Sequence, residues 1–325
     1  MNERLISAFD WLIAHSPKAK FVLCVIAGAV SGLALPPFDQ WWVFGFTVPL
    51  FLMVLETSSL KRAFWSGWLF GLGYFLVVLH WIGAAFFVNA AADLWMMPFA
   101  VGGLAAFLAL YWGAGAFVTR LITERGVSIF WVAPPVFSVM EYLRGILFSG
   151  FPWGVPGLAV DGMGGLAQLA SIVGMNGLTL LILMWAATPL LFFKGEKALG
   201  VALLLLLPLA WGWGAWRLAQ NPTRYVEGVQ LRIVQPNIPQ DDAWRNAHAR
   251  AIFDRLLALS AQPAQGPAIT HIIWPESIVP FLLDESPEGL SEVAKMLGSD
   301  RVLLTGAVRR SAPRQDADYF TSVLA

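Results

Sequence analysis

The sequence is poor in cysteine, histidine and charge, and each shortage excludes something. One cysteine in 325 residues, Cys24, excludes an intrachain disulfide framework and a cysteine metal cluster. Of the four histidines, His80 has no second His, Cys or acidic partner at metal spacing, and no metal or organic cofactor is expected. Charged residues make up only 13% of the chain, against about 25% in an ordinary soluble domain. Basic and acidic residues balance at 21 each, so no net field attracts nucleic acid and no such partner is expected. What fills the chain instead is apolar: 58% of residues are hydrophobic and mean hydropathy is +0.65. Sixteen tryptophans and 23 phenylalanines suit a protein whose amphipathic rings meet lipid headgroups.

The little charge there is divides the chain in two. Residues 1–224 hold 12 Lys/Arg and 9 Asp/Glu, whereas the last 101 residues hold 9 and 12. We expect a transmembrane domain over 1–224 and a polar domain over 225–325. A helix needs about 20 apolar residues to cross a bilayer. Seven stretches qualify with ragged ends, near 20–36, 41–56, 63–87, 94–119, 128–148, 165–193 and 198–219. Arg4, Lys18 and Lys20 precede the first, Lys61 and Arg62 follow the second, Arg120 and Arg125 the fourth, and Lys194 and Lys197 the sixth. The alternate connections, Pro36 to Gln40, Asn89 to Asp93 and Ser149 to Gly164, contain no Lys or Arg. Positive charge accumulates on the cytoplasmic side, which places the N-terminus inside and delivers the polar domain to the external face after seven crossings. The first stretch runs into Leu35-Pro36-Pro37 without a small-x-small site, so a cleaved leader is not expected. Gly28 with Gly32, and Gly67 with Gly71, are spaced for close helix contacts. Tryptophans such as Trp41, Trp42, Trp95 and Trp216 lie near span ends, as an aromatic belt would.

From Val226 the periodicity changes. Val229 to Val234, Ile269 to Trp274, Val302 to Val308 and Phe320 to Leu324 read as strands, and Asp241 to Leu259 and Glu288 to Leu297 as helices. This order is that of a partial α/β domain. The second strand closes on Trp274-Pro275-Glu276. Proline ends the ladder and sets a carboxylate at the carboxyl edge of the sheet, where open α/β sheets bind ligands. Glu276, partly desolvated by Trp274, would serve as a general base; alternatively it is a solvated turn residue. In the membrane part, Glu141 and Arg144 lie three apart on one helix face. They form either a phosphate contact or a pair whose arginine reaches the external headgroups.

Several segments in order resemble one family. Val234-Gln235-Pro236-Asn237-Ile238-Pro239-Gln240, Trp244, Ile273-Trp274-Pro275-Glu276 and Leu304-Thr305-Gly306-Ala307 resemble the first third of a nitrilase-superfamily domain. Glu141-Tyr142-Leu143-Arg144-Gly145, leading into Ser149-Gly150-Phe151-Pro152-Trp153-Gly154, resembles the bacterial apolipoprotein N-acyltransferases. The resemblance implies a multi-pass α-helical membrane domain followed by a partial nitrilase-like domain, an α-β-β-α sandwich, outside the bacterial cytoplasmic membrane. It implies transfer of an acyl chain from a phospholipid to the N-terminal amine of diacylglyceryl-cysteine lipoproteins, through a thioester made by a Glu-Lys-Cys triad. Glu276 matches the glutamate that activates the thiol, and Trp244 a tryptophan near the active site; Trp244, Arg144 and Glu141 are the candidate substrate-binding residues. The triad's lysine and cysteine would follow the third and fourth strands, beyond Ala325. Cys24 lies more than 200 residues too early and Lys295 on the wrong helix, so the chain as written is expected not to turn over. A membrane-tethered carbon–nitrogen hydrolase, a channel or transporter with an accessory domain, and a non-catalytic homologue are the competing expectations.

Overall fold

In this computed structural model the described residues are 16–238, 248–276, 278–279, 281–311 and 318–325. They fall into two compact units, residues 1–222 and 223–325, each considered by itself.

The first unit is helical. Ser16 caps α1 (Pro17–Gly32) by accepting from the Ala19 N–H at 3.3 Å, and a proline at the first helical position gives up no hydrogen bond. There follow α2 (Phe44–Glu56), entered through a 3-10 turn at Trp41–Val43, and α3 (Leu60–Val78), continued by a 3-10 segment His80–Phe87 bent by 49°. Next come α4 (Met97–Thr123), α5 (Ile129–Ile146), a 3-10 segment Pro156–Leu169 running into α6 (Ala170–Ala187), and α7 (Lys197–Gln220). Helix thus occupies all seven expected apolar stretches. Three segments among the described residues are long and apolar enough to cross a membrane: Ala90–Thr123, Pro156–Phe193 and Lys197–Gln220. The bent α3 pair makes a fourth if it is one span. The run Trp41–Glu56 is apolar but shorter, and α5 carries Glu141 and Arg144 within its 18 residues.

Glycines set the helix spacing at the centre of this unit. A Cβ on Gly28 of α1 would lie 1.9 Å from the Phe70 carbonyl oxygen of α3, and one on Gly73 would lie 2.2 Å from that of Val25. Gly67 meets Trp112 and Ala116 of α4 in the same way, at 2.5 and 2.4 Å. Around these contacts Phe51, Phe70, Tyr74, Trp112 and Phe137 stack into one aromatic core, with Phe70 and Trp112 parallel at 5.3 Å. Gly28→Ala should therefore force α1 from α3 and cost about 1–3 kcal/mol, the usual penalty for overpacking. Gly102→Ala, where a Cβ meets nothing within 4 Å, should cost none. Unfolding of the two variants in mixed detergent micelles checks the difference.

Among the described residues the second unit is a small mixed sheet with two α-helices. Its strands are β1 (Leu231–Ile233), β2 (His271–Ile273), β3 (Val302–Arg310) and β4 (Tyr319–Leu324), in that spatial order. The first three are parallel, with Arg232, Ile272 and Leu303 in register, and β4 runs antiparallel to β3. Helices α8 (Ala249–Ser260) and α9 (Pro287–Leu297) bury Ile252, Phe253, Leu256 and Val293 with Val234, Ile272, Trp274 and Leu303 of the sheet. Ser286 caps α9, and Gly298, at φ 68°, ends it. Where the two helices meet, Arg250 pairs with Glu292 at 2.8 Å and holds that carboxyl below the usual range. Side chains alternate along a strand, so Leu231, Ile233, Val302 and, by register, Val323 lie on the other face. That face is apolar yet exposed: Ile233 is 76% and Val323 78% accessible.

Candidate active site

The glutamate proposed from the sequence stands where parallel strands end. The Trp274 N–H donates to the Leu304 carbonyl at 2.9 Å, the last rung of the ladder, and Pro275 has no N–H to add another. Trp274 is 3% exposed and turned inward, its Nε1 donating to Ser260 Oγ at 2.8 Å. Ser260 Oγ in turn donates to the Leu256 carbonyl at 2.7 Å. The indole thus ties the end of β2 to the end of α8, and Glu276 follows on a turn, exposed to solvent. This corrects one expectation: Trp274 does not desolvate Glu276. Glu276 lies past the proline and the end of the ladder, on a turn where strand alternation no longer sets the direction of its side chain. At the same end of the sheet, β1 leads into Gln235-Pro236-Asn237, where Asn237 takes a φ of 48° and donates its N–H to Gln235 Oε1 at 3.4 Å. Trp244 lies outside the described residues. Lys295 is exposed on α9, and Cys24 is buried in α1, in the other unit.

In the first unit the structure brings Glu141 and Arg144 together, but away from the surface. Glu141 is 2% and Arg144 1% exposed. Arg144 donates from Nε to Glu141 Oε1 at 3.1 Å, from Nη2 to Glu141 Oε2, and from Nη1 to the carbonyls of Phe151 and, at 2.9 Å, Trp153. Four of its five N–H groups are thereby committed within the protein. Trp112 of α4 donates to Glu141 Oε1 at 2.7 Å, and the Arg144 guanidinium lies 5.0 Å from the centre of the Phe75 ring. The arginine therefore does not reach toward headgroups. Carbonyls of the irregular segment 147–155 supply its partners within the protein.

That segment is held from both sides. The Phe151 N–H donates to the Arg144 carbonyl at 2.9 Å, and Tyr74 of α3 donates its hydroxyl to the Gly154 carbonyl at 3.0 Å. Phe148, Ser149 and Gly150 all take positive φ, at 53°, 73° and 75°. For the first two this is a costly conformation that persists only when the surroundings dictate it. Phe148 and Trp153 remain 80% and 56% exposed. The segment is thus tied to α3 and α5 and presents Phe148 and Trp153 outward. Tyr74, which anchors this segment, and Trp112, which holds Glu141, were invisible to local sequence patterns, since they lie 80 and 29 positions from their partners.

A helical unit with three or four segments long and apolar enough to cross a membrane, in one chain with a small mixed sheet that carries a glutamate at its carboxyl edge, is the make-up of a membrane protein with an α/β unit. Residues 27–188 match the family model described as the apolipoprotein N-acyltransferase N-terminal domain. Proteins named apolipoprotein N-acyltransferase from Brucella suis, Rhodopseudomonas palustris and Rhizobium rhizogenes are 37%, 36% and 35% identical to the chain. These alignments cover 92%, 94% and 93% of this chain and 59%, 59% and 60% of those relatives. The chain belongs to the apolipoprotein N-acyltransferase family, and it spans about three-fifths of the length of the curated relatives it matches. An alignment over 92% of the chain necessarily takes in both the Glu141–Gly154 segment and Glu276.

Proposed function

We propose that the chain carries the membrane domain and the general base of an enzyme that transfers an acyl chain from a phospholipid to the N-terminal amine of diacylglyceryl-cysteine lipoproteins. The observation that carries this is the exposed Glu276 at the end of β2, in a chain about 36% identical to proteins named for that transfer. In the proposed reaction the Glu276 carboxylate takes the proton of a thiol. The thiolate attacks the ester carbonyl of the phospholipid, a lysine donor steadies the oxyanion, and the tetrahedral adduct collapses to a thioester. The departing lysophospholipid alkoxide takes up the proton held by Glu276. The acceptor's amine then attacks the thioester, its proton passes to the regenerated carboxylate, and amide and free thiol result. In the family pattern the lysine and cysteine follow Glu276 in the chain; neither Lys295 nor Cys24 takes those places.

The membrane domain is proposed to cross seven times, with its N-terminus cytoplasmic and the sheet unit outside a bacterial inner membrane. Polar links at one end of the helices support this. Lys20 Nζ reaches Thr57 Oγ1 at 2.9 Å, Arg120 Nε reaches the Ser58 carbonyl at 2.6 Å, and Lys194 pairs with Glu56. The four basic ends thus share one side, as charge asymmetry requires. The sheet unit is proposed to be one half of an α-β-β-α sandwich. Its exposed apolar face, with Leu231 and Ile233, is what a second sheet would cover.

Two measurements test these proposals. Trypsin added to intact spheroplasts should cut after Arg224 or Arg232; protection of both until lysis would reverse the orientation. The gene product carrying this sequence, given phospholipid with a labelled acyl chain and a diacylglyceryl-cysteine peptide, should form a labelled amide. Hydrolysis of carbon–nitrogen bonds without transfer would instead identify a tethered amidase.

A further inference from the structure

The first unit contains a cavity of about 160 Å³ between α2, α6, α7 and the segment preceding α6. Phe44, Gly45, Trp185 and Leu207 form its walls, and Trp41 and Leu204 stand at its mouth. Trp41 is 45% and Leu204 41% exposed, so the cavity continues into the outer surface of α7, where Leu205 and Leu209 are also exposed. Two of the enclosing segments, Pro156–Phe193 and Lys197–Gln220, are span-length apolar helices, so with these helices in a bilayer the Leu204 side of the mouth faces lipid and the Trp41 side lies near a span end.

The lining narrows the occupant. Water in a cavity needs two to four polar partners, and apart from the tryptophan indoles the side chains here have no hydrogen-bonding group. A peptide segment would bring backbone N–H and C=O groups into a lining that cannot satisfy them. A headgroup would need a charge, and the lining has none. An empty apolar space forfeits dispersion contacts on every wall, and one of about 150 Å³ is large enough to accept a benzene-sized guest. At Gly45 a Cβ would meet nothing within 4 Å, so open space lies against α2 there.

We propose that this cavity seats one acyl chain of a bilayer phospholipid, held as a resident lipid between α2, α6 and α7. The seat is separate from Glu276 and does not depend on the acyl-transfer proposal. It depends only on these helices being embedded in a bilayer.

The test uses the full chain in phosphatidylcholine vesicles that contain a phosphatidylcholine bearing a photoactivatable diazirine halfway along one acyl chain. After illumination, peptides covering residues 41–45, 182–186 and 204–207 should carry more label than lipid-facing peptides around Phe99. Gly45→Leu and Ala186→Leu, which fill the space, should lose that excess. Gly212→Leu, on the open face of α7 with nothing within 4 Å of its Cβ, should keep it. Even labelling of all lipid-facing peptides in the unaltered chain, or undiminished labelling in a filled variant that inserts normally, would overturn the proposal. Two filling variants on different helices guard against one that fails to insert, and the unaltered pattern decides by itself if neither does.

Discussion

Glu276→Gln in the gene product that carries this sequence should lower both thioester formation and amide formation about 10²–10⁴-fold, the usual contribution of a general base, and leave the fold unchanged. The substitution removes the proton acceptor and keeps the size of the side chain. Because Glu276 is exposed and follows the last rung of β2, nothing in the core depends on it. Its effect on stability should stay within about 0.5 kcal/mol, as for other surface changes. A large kinetic loss with an unchanged unfolding midpoint is the combination that a base predicts and a solvated turn residue does not. Acyl-thioester capture by mass spectrometry separates the two half-reactions. The first must slow, since the thiol proton has nowhere to go. Equal thioester yields from the two proteins would reduce Glu276 to an exposed carboxylate at a strand end.

The strand end that carries Glu276 was legible because its stop signal is local. The run His271–Ile273 followed by Trp274, Pro275 and Glu276 contains its own stop signal, and the structure ends the ladder there. The aim of Trp274 was not legible. It depends on Ser260, 14 positions earlier, whose hydroxyl waits at the end of α8. The same contrast runs through the helical unit. Each of the seven apolar stretches holds a helix, and the spacing of Gly28 and Gly67 located two of the closest contacts. Gly73, outside either GxxxG pair, makes a contact as close, because it lies on the same face of α3 as Phe70 and meets α1 one turn farther along. Span length was less legible, since hydropathy does not reveal where a helix bends or starts with a 3-10 turn, as at Leu79 and Trp41. For Glu141 and Arg144 the three-residue spacing fixed that they share a face. Whether that face looked outward or inward was set by carbonyls seven and nine residues further on.

Arg144→Met should cost about 3–5 kcal/mol, because removing one partner leaves the other charge buried and uncompensated. Glu141 would keep the Trp112 indole as a donor but lose both guanidinium bonds. The carbonyls of Phe151 and Trp153 would lose their donor at the same time. A second substitution separates these two losses. In the double variant Glu141→Met with Arg144→Met the buried charge is gone, and apolar replacements of buried pairs are often neutral or stabilising by about 1–4 kcal/mol. Global stability should therefore recover in large part. The segment 147–155 should not recover fully, because its Phe151 and Trp153 carbonyls remain without the arginine donor, and the Tyr74 hydroxyl and the backbone bonds of Leu147, Gly150 and Phe151 are left to hold it. Its amide hydrogens should exchange faster in the double variant than in the unaltered chain, although unfolding midpoints in mixed micelles come close together. If the single variant costs under about 1 kcal/mol, the magnitude typical of solvent-exposed pairs, the arginine faces headgroups and a phosphate contact becomes the better account. The enclosed geometry requires the larger cost, since neither side chain of the pair is more than 1% accessible.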